Sequence, residues 1–201
     1  MNKTRLEAFS DGVIAILITI MVLELRIPEG ADWDSVQPIV PVFLTYVLSF
    51  VVLGIYWSNH HHLLHMADRI TGGIMWANLH LLFWLSLIPF ATGWMGRNHF
   101  APLPTAMYGV VLLPSAVSYT VLVRMIIAAQ GPSSRLKAAI GSDAKSYLSL
   151  AMYAAAIPLA FVNRWIAYAL YVAVVLIWLV PDRRIERRVD AESHSRRAGQ
   201  I

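Results

Sequence analysis

The spacing of charged residues limits this chain more than any other feature, because long stretches pass without a single Asp, Glu, Lys or Arg. One lies between Asp34 and Asp68, with an apolar core at Pro38 to Trp57; others run from Ile70 to Gly96, Asn98 to Val123, Ser146 to Asn163 and Trp165 to Pro181. A helix needs about 20 mostly apolar residues to cross roughly 30 Å of hydrocarbon, so each of these five predicts a transmembrane helix. A sixth, shorter gap opens the chain. Gly12 to Leu23 holds only 12 uncharged residues, about 18 Å of helix. To cross, this helix must draw its polar start, Arg5 to Asp11, into the membrane or to its edge. An ionisable residue at that depth is expensive unless it faces protein or a water-filled cavity, which makes Asp11 a functional or assembly residue by default. The expected fold class is therefore all-α: an integral membrane protein of six transmembrane helices in one repeat.

Composition agrees, with 58% hydrophobic and 14% charged residues, against about 25% charged in soluble domains. The sequence pI of about 9.6 would raise nucleic-acid binding in a soluble protein, but the positions of the charges give it another meaning. Lys3, Arg5, Arg69, Arg124, Arg135, Lys137, Lys145, Arg183, Arg184, Arg187, Arg188, Arg196 and Arg197 fall on one side of a six-span topology. Only Arg26, Arg97 and Arg164 fall on the other, together with Glu24, Glu29, Asp32 and Asp34. The positive-inside rule then places both termini in the cytoplasm of a multi-pass protein of the plasma membrane, with no nucleic-acid partner. Residues 1–181 form the six-helix domain and 182–201 a basic cytoplasmic tail suited to anionic lipid. Cysteine is absent, which excludes disulfides, thiolate metal sites and cysteine nucleophiles. The first apolar run is followed by Glu24-Leu25-Arg26 and no small-residue cleavage pattern, so it reads as part of the mature chain. Nucleophile elbows, P-loops and Rossmann glycine patterns are missing, so the chain does not read as an enzyme.

On a wheel of about 100° per residue, helix one places Ile16, Thr19, Ile20 and Leu23 on one face, continued below by Gly12 and Phe9. Ser10 and Asp11 sit roughly 120° and 140° from Ile16, toward neighbouring helices. Such a stripe is either an ordinary packing seam or a wall presented to an axis, and periodicity alone does not choose.

Arg5-x-x-x-Phe9-Ser10-Asp11 followed by Gly12-Val13-Ile14-Ala15-Ile16-Leu17-Ile18-Thr19-Ile20-Met21-Val22-Leu23 closely resembles the signature of the transmembrane protein 175 family, the lysosomal potassium channels and their bacterial relatives. Trp57-Ser58-Asn59-His60-His61, Asn78 and Pro89-Phe90 are similar to weaker landmarks of that family, so the resemblance covers mainly residues 1 to 95. It implies a potassium-preferring cation channel without a cofactor, with potassium ion as the permeant species. The single repeat implies a homotetramer, in which helix one lines a central pore. Carried over by position, Ile16 forms the narrowest ring and Thr19 lies one turn outward, with Ile20 and Leu23 beyond. No TVGYG-like filter exists in the sequence, so a hydrophobic constriction that gates by dewetting would have to discriminate. Glu24, Glu29, Asp32 and Asp34 could concentrate cations at the outer mouth, a long-range effect that salt screens. Arg5, Phe9, Ser10 and Asp11 read as a lock on the pore helix, with Arg5, His60 or His61, and Asn78 or His80 as candidate partners of Asp11.

His60-His61-His62-x-x-His65 is the densest ionisable cluster. Polar packing at the membrane edge, a pH-sensitive lock, and a divalent ion shared by His61, His65 and Asp68 are the three readings of it; no HExxH or second ligand pair accompanies it, and the expectation is no metal. The tryptophans read as interfacial anchors, and Pro89, Pro114 and Pro158 as tolerated kinks. The alternative function is a proton-coupled secondary transporter using Asp11 and the helix-two histidines, although the internal repeats and broken midplane helices of such carriers are not visible.

Overall fold

The computed structural model describes residues 3–131, 136 and 144–179. The basic tail, with its Arg183/Glu186 and Arg187/Asp190 spacing, lies outside these, as do Arg135 and Lys137. Among the described residues every regular element is helical. In chain order these are α1 (Lys3–Ile20), α2 (Trp33–Val36), α3 (Val40–His65), α4 (Gly72–Ser86), α5 (Ile88–Arg97), α6 (Pro102–Gln130), α7 (Ala144–Val162) and α8 (Arg164–Leu179).

Five stretches are long and apolar enough to cross a membrane: Lys3–Glu24, Trp33–His65, Gly72–Arg97, Pro102–Gln130 and Ala144–Val162. α8 adds a sixth apolar helix of 16 residues. The first of these gains its reach as its sequence requires. α1 starts at Lys3, runs through Asp11, and is extended by a 3-10 turn over Met21–Glu24, giving 22 residues, or about 33 Å at 1.5 Å per residue.

The third span is two helices. Pro89 has no N–H to donate, and the ladder breaks before it: Leu87 N–H reaches back only to the Trp84 carbonyl at 3.2 Å, and α5 restarts with Pro89 in its first turn. Pro114 and Pro158 lie inside α6 and α7, which continue through them.

Small residues and hydroxyls join the spans. The Tyr108 hydroxyl of α6 donates to Ser49 Oγ of α3 (2.9 Å), Ser49 donates to Thr92 Oγ1 of α5 (2.6 Å), and Thr92 donates to the Ile88 carbonyl (2.7 Å). That order follows from one proton per hydroxyl, and it leaves each of these groups satisfied in a low-dielectric interior. Gly96 lets α5 press against α3, since a Cβ there would stand 2.5 Å from Thr45 Oγ1 and 2.7 Å from Val42 Cα. The α5–α6 turn holds His99 and Phe100 at φ of 49° and 58°. Phe100 accepts this left-handed backbone while burying its ring against Trp165 and Tyr168, at centroid distances of 5.3 and 4.9 Å. At the end of the bundle where α1 begins, Lys3 donates to the His65 carbonyl (2.6 Å), Arg69 to that of Ala129 (2.8 Å) and Gln130 to that of Met66 (2.6 Å).

Candidate functional site

α1 has two unlike faces. Leu6, Ser10, Ile14 and Leu17, with Met21 in the following turn, are buried against α3, α4 and α5. Phe9, Gly12, Ile16, Thr19, Ile20 and Leu23 are uncovered by the rest of the subunit, Ile16 at 62% and Leu23 at 75% exposure. The stripe read from the helical period is therefore not a packing seam within the chain. Thr19 donates its hydroxyl hydrogen to its own helix, between the carbonyls of Ala15 (3.1 Å) and Ile16 (3.0 Å). With that hydrogen turned inward, the Thr19 Oγ1 lone pairs are what this side chain offers outward, an arrangement suited to a cation.

Behind the stripe, three polar side chains of 0% exposure form a chain across α1, α4 and α3. Asn78 Nδ2 donates to Ser10 Oγ (2.9 Å), Ser10 donates to the Leu6 carbonyl (2.8 Å), and Asn78 Oδ1 lies 2.6 Å from His60 Nε2. A carbonyl oxygen only accepts, so His60 carries its proton on Nε2. Its Nδ1 is buried without a hydrogen-bond partner among the described residues. Of the residues expected in the lock, Ser10, Asn78 and His60 are hydrogen-bonded in one chain, with Asn78 joined to Ser10 and not to Asp11.

The other expected members are placed differently. Asp11 faces His61, with Oδ2 3.8 Å from Nδ1, and Glu7, one turn earlier, approaches the same nitrogen at 3.4 Å. The motif does not single out Glu7, although its i, i+4 spacing to Asp11 is readable in the sequence. Arg5 makes no hydrogen bond or ion pair among the described residues, and Phe9 lies half exposed on the uncovered face. His80 turns to α6. It accepts from Trp84 Nε1 (3.1 Å) at Nε2 and meets Ser118 Oγ (2.9 Å) at Nδ1. Ser118 gives its own hydrogen to the Pro114 carbonyl (2.6 Å), so His80 is the donor in that contact.

Within the histidine cluster only His61 and His65 are stacked, while His62 meets His61 edge-on at 67°. His61 stacks on His65 at 6.5 Å and 17°, and on Trp57 at 6.1 Å and 29°. No three His, Cys, Asp or Glu side chains converge as metal ligands among the described residues.

At the far end of α1, Glu24 Oε2 lies 2.7 Å from Arg97 Nη2 of α5. Sequence alone groups Glu24 with Glu29, Asp32 and Asp34 as loop acids that draw cations; the structure sets two of them apart. Glu24 is paired with a cation of its own subunit, and Asp32 caps α2, accepting from Ser35 N–H at 3.0 Å.

These features define a multi-pass helical membrane protein whose first helix is clamped along one side and bare along the other. Residues 5–89 match the family described as Endosomal/lysosomal potassium channel TMEM175. A protein of Chryseobacterium sp. (strain P1-3) described as a potassium channel is 56% identical over 93% of this chain and 97% of its own length. The Homo sapiens protein described as Endosomal/lysosomal proton channel TMEM175 is 30% identical over 45% of this chain and 20% of its own. Among solved structures, the crystal structure of a lysosomal potassium-selective channel TMEM175 homolog from Chamaesiphon minutus aligns with a TM-score of 0.74. It is 23% identical, and the alignment covers 89% of this chain and 96% of that one. The chain belongs to the TMEM175 family.

Proposed function

We propose that this protein is a potassium-preferring channel assembled from four copies, with α1 lining a shared axis. The bare Phe9–Gly12–Ile16–Thr19–Ile20–Leu23 face carries the reading, because it is rigidly presented by the Ser10–Asn78–His60 chain behind it. Four Ile16 side chains around an axis make a neck from which water withdraws. An ion passing it sheds part of its hydration shell, and potassium, the less tightly hydrated, sheds it at lower cost than sodium. Thr19 oxygens one turn outward return part of the lost coordination without forming a carbonyl cage, so discrimination is modest. The basic residues at the α1 entry end make that end cytoplasmic in a plasma membrane. The relatives described as potassium channels support the same permeant ion.

The test is a bilayer recording of purified protein under a potassium/sodium gradient without a pH gradient. A channel gives discrete steps and a reversal potential displaced toward potassium; a proton-coupled carrier gives no steps and no current under these conditions. Ile16→Cys on the naturally cysteine-free chain adds the geometric check: symmetric cross-links between copies and block by a hydrophilic thiol reagent. An introduced thiol that reacts only with lipid-soluble reagents and never affects current refutes the pore.

A further inference from the structure

The outer end of α1 is held by chemistry unlike that of the Ser10 lock. Past Ile20 the 3-10 turn of Met21–Glu24 swings the Glu24 carboxylate onto α5, where Arg97 receives it at 2.7 Å. Gly93 stands one helical turn before Arg97 on the same face of α5. A Cβ at Gly93 would lie 2.6 Å from Glu24 Oε2 and 2.9 Å from its carboxyl carbon. The carboxylate therefore rests across bare backbone in a seat that any other residue fills.

The seat is itself immobilised. Gly96 is pressed on Val42 and Thr45 of α3, and Thr92 is chained through Ser49 to Tyr108 of α6. An open basin bordered by Arg26, His99 and Pro38 reaches the pair, which is partly exposed at 33% for Glu24 and 51% for Arg97.

We propose that Glu24, Gly93 and Arg97 form an outer clasp that positions the exit of α1 and so sets the Ile20 and Leu23 rings. This rests on α1 being the pore helix. All three are positioning residues; none touches the ion. Arg97 neutralises Glu24, so this carboxylate acts on permeation through geometry and not as a member of an acidic ring. Because the pair is reached by water, salt on the outer side weakens the clasp.

The experiment uses Leu23→Cys as a single thiol in the cysteine-free chain. The rate at which a membrane-impermeant thiol reagent blocks potassium current is measured with Glu24→Gln, Arg97→Gln, Gly93→Ala, and the exchange Glu24→Arg/Arg97→Glu. Each single change is expected to shift the modification rate roughly three- to fivefold, the scale of a well-placed partly exposed pair. Gly93→Ala should do so without altering any charge, and the exchange should restore the rate. Elution of the assembled particle on size exclusion shows that each variant is folded; should Gly93→Ala fail to assemble, the two glutamine variants and the exchange decide. Unchanged rates in the single variants, or an exchange no better than its worse parent, overturn the clasp, while block through the Leu23→Cys thiol keeps the pore reading intact. If that thiol is silent in every background, the pore reading falls and the clasp falls with it.

Discussion

Asn78→Ala tests the lock at its centre. Among the described residues Asn78 supplies the only hydrogen-bond partner that His60 has, because His60 Nδ1 is already unpaired and buried. Removing it leaves an imidazole of 0% exposure with no partner at all, and an orphaned buried donor costs about 1–3 kcal/mol. Ser10 suffers less, since its hydroxyl still donates to the Leu6 carbonyl; it loses one interhelical bond, and such bonds in membrane proteins average about 0.6 kcal/mol. The variant should therefore be destabilised by about 2–4 kcal/mol. His60→Ala removes the orphan along with the ring, so the double variant should be less harmed than the singles sum to, with a coupling of about 1–2 kcal/mol. Reversible unfolding in mixed detergent micelles, followed by loss of helical signal, measures all four corners of the cycle. A cost for Asn78→Ala within about 0.5 kcal/mol of zero, or strict additivity with His60→Ala, means that Asn78 does not hold His60 in place.

Three further perturbations have definite outcomes. Ile16→Asn wets the proposed neck and should raise unitary conductance several-fold while bringing the reversal potential closer to zero under a potassium/sodium gradient; an unchanged record places the constriction elsewhere. Gly96→Ala drives a methyl into Thr45 and the Val42 backbone and should lower stability by about 1–3 kcal/mol, read as an earlier unfolding midpoint in the same micelles. Asp32 is held below the usual carboxylate range by the Ser35 hydroxyl and then by the Ser35 N–H. Its folded value lies below its unfolded one, so the cap is fully present above the ordinary aspartate range and fades as pH falls through the folded value. The Ser35 amide resonance should titrate with a midpoint below that of a free aspartate, and Asp32→Asn should abolish the step.

The six apolar helices were legible because charge spacing reports directly on the solvent each segment tolerates. The short first gap was legible too, since a helix that must reach further has only its polar start to recruit. The uncovered stripe followed from the helical period, and the structure leaves bare the residues that the period grouped. Which polar groups meet was only partly readable. Ser10, Asn78 and His60 come together, but Asp11 meets His61, His80 meets Ser118, and Arg5 stands apart. A wheel gives angles within one helix and says nothing of the azimuth at which a neighbour approaches. That azimuth is fixed by contacts such as Gly96 on Val42. Arg97 and Gly93 were illegible for a related reason: the loop after α1 offers four carboxylates, and nothing in the order of residues says which one bends back onto α5.

The break before Pro89 gives the third span a mechanical character. α4 carries Asn78, which bonds Ser10 in the first half of α1; α5 carries Gly93 and Arg97, which meet Glu24 just past its other end. An unbroken rod would pass any tilt at one extremity straight to the other. Two short rods meeting at Leu87, where proline interrupts the hydrogen-bond ladder, tie the two ends of α1 to separate helices, so a displacement at one end is not carried rigidly to the other.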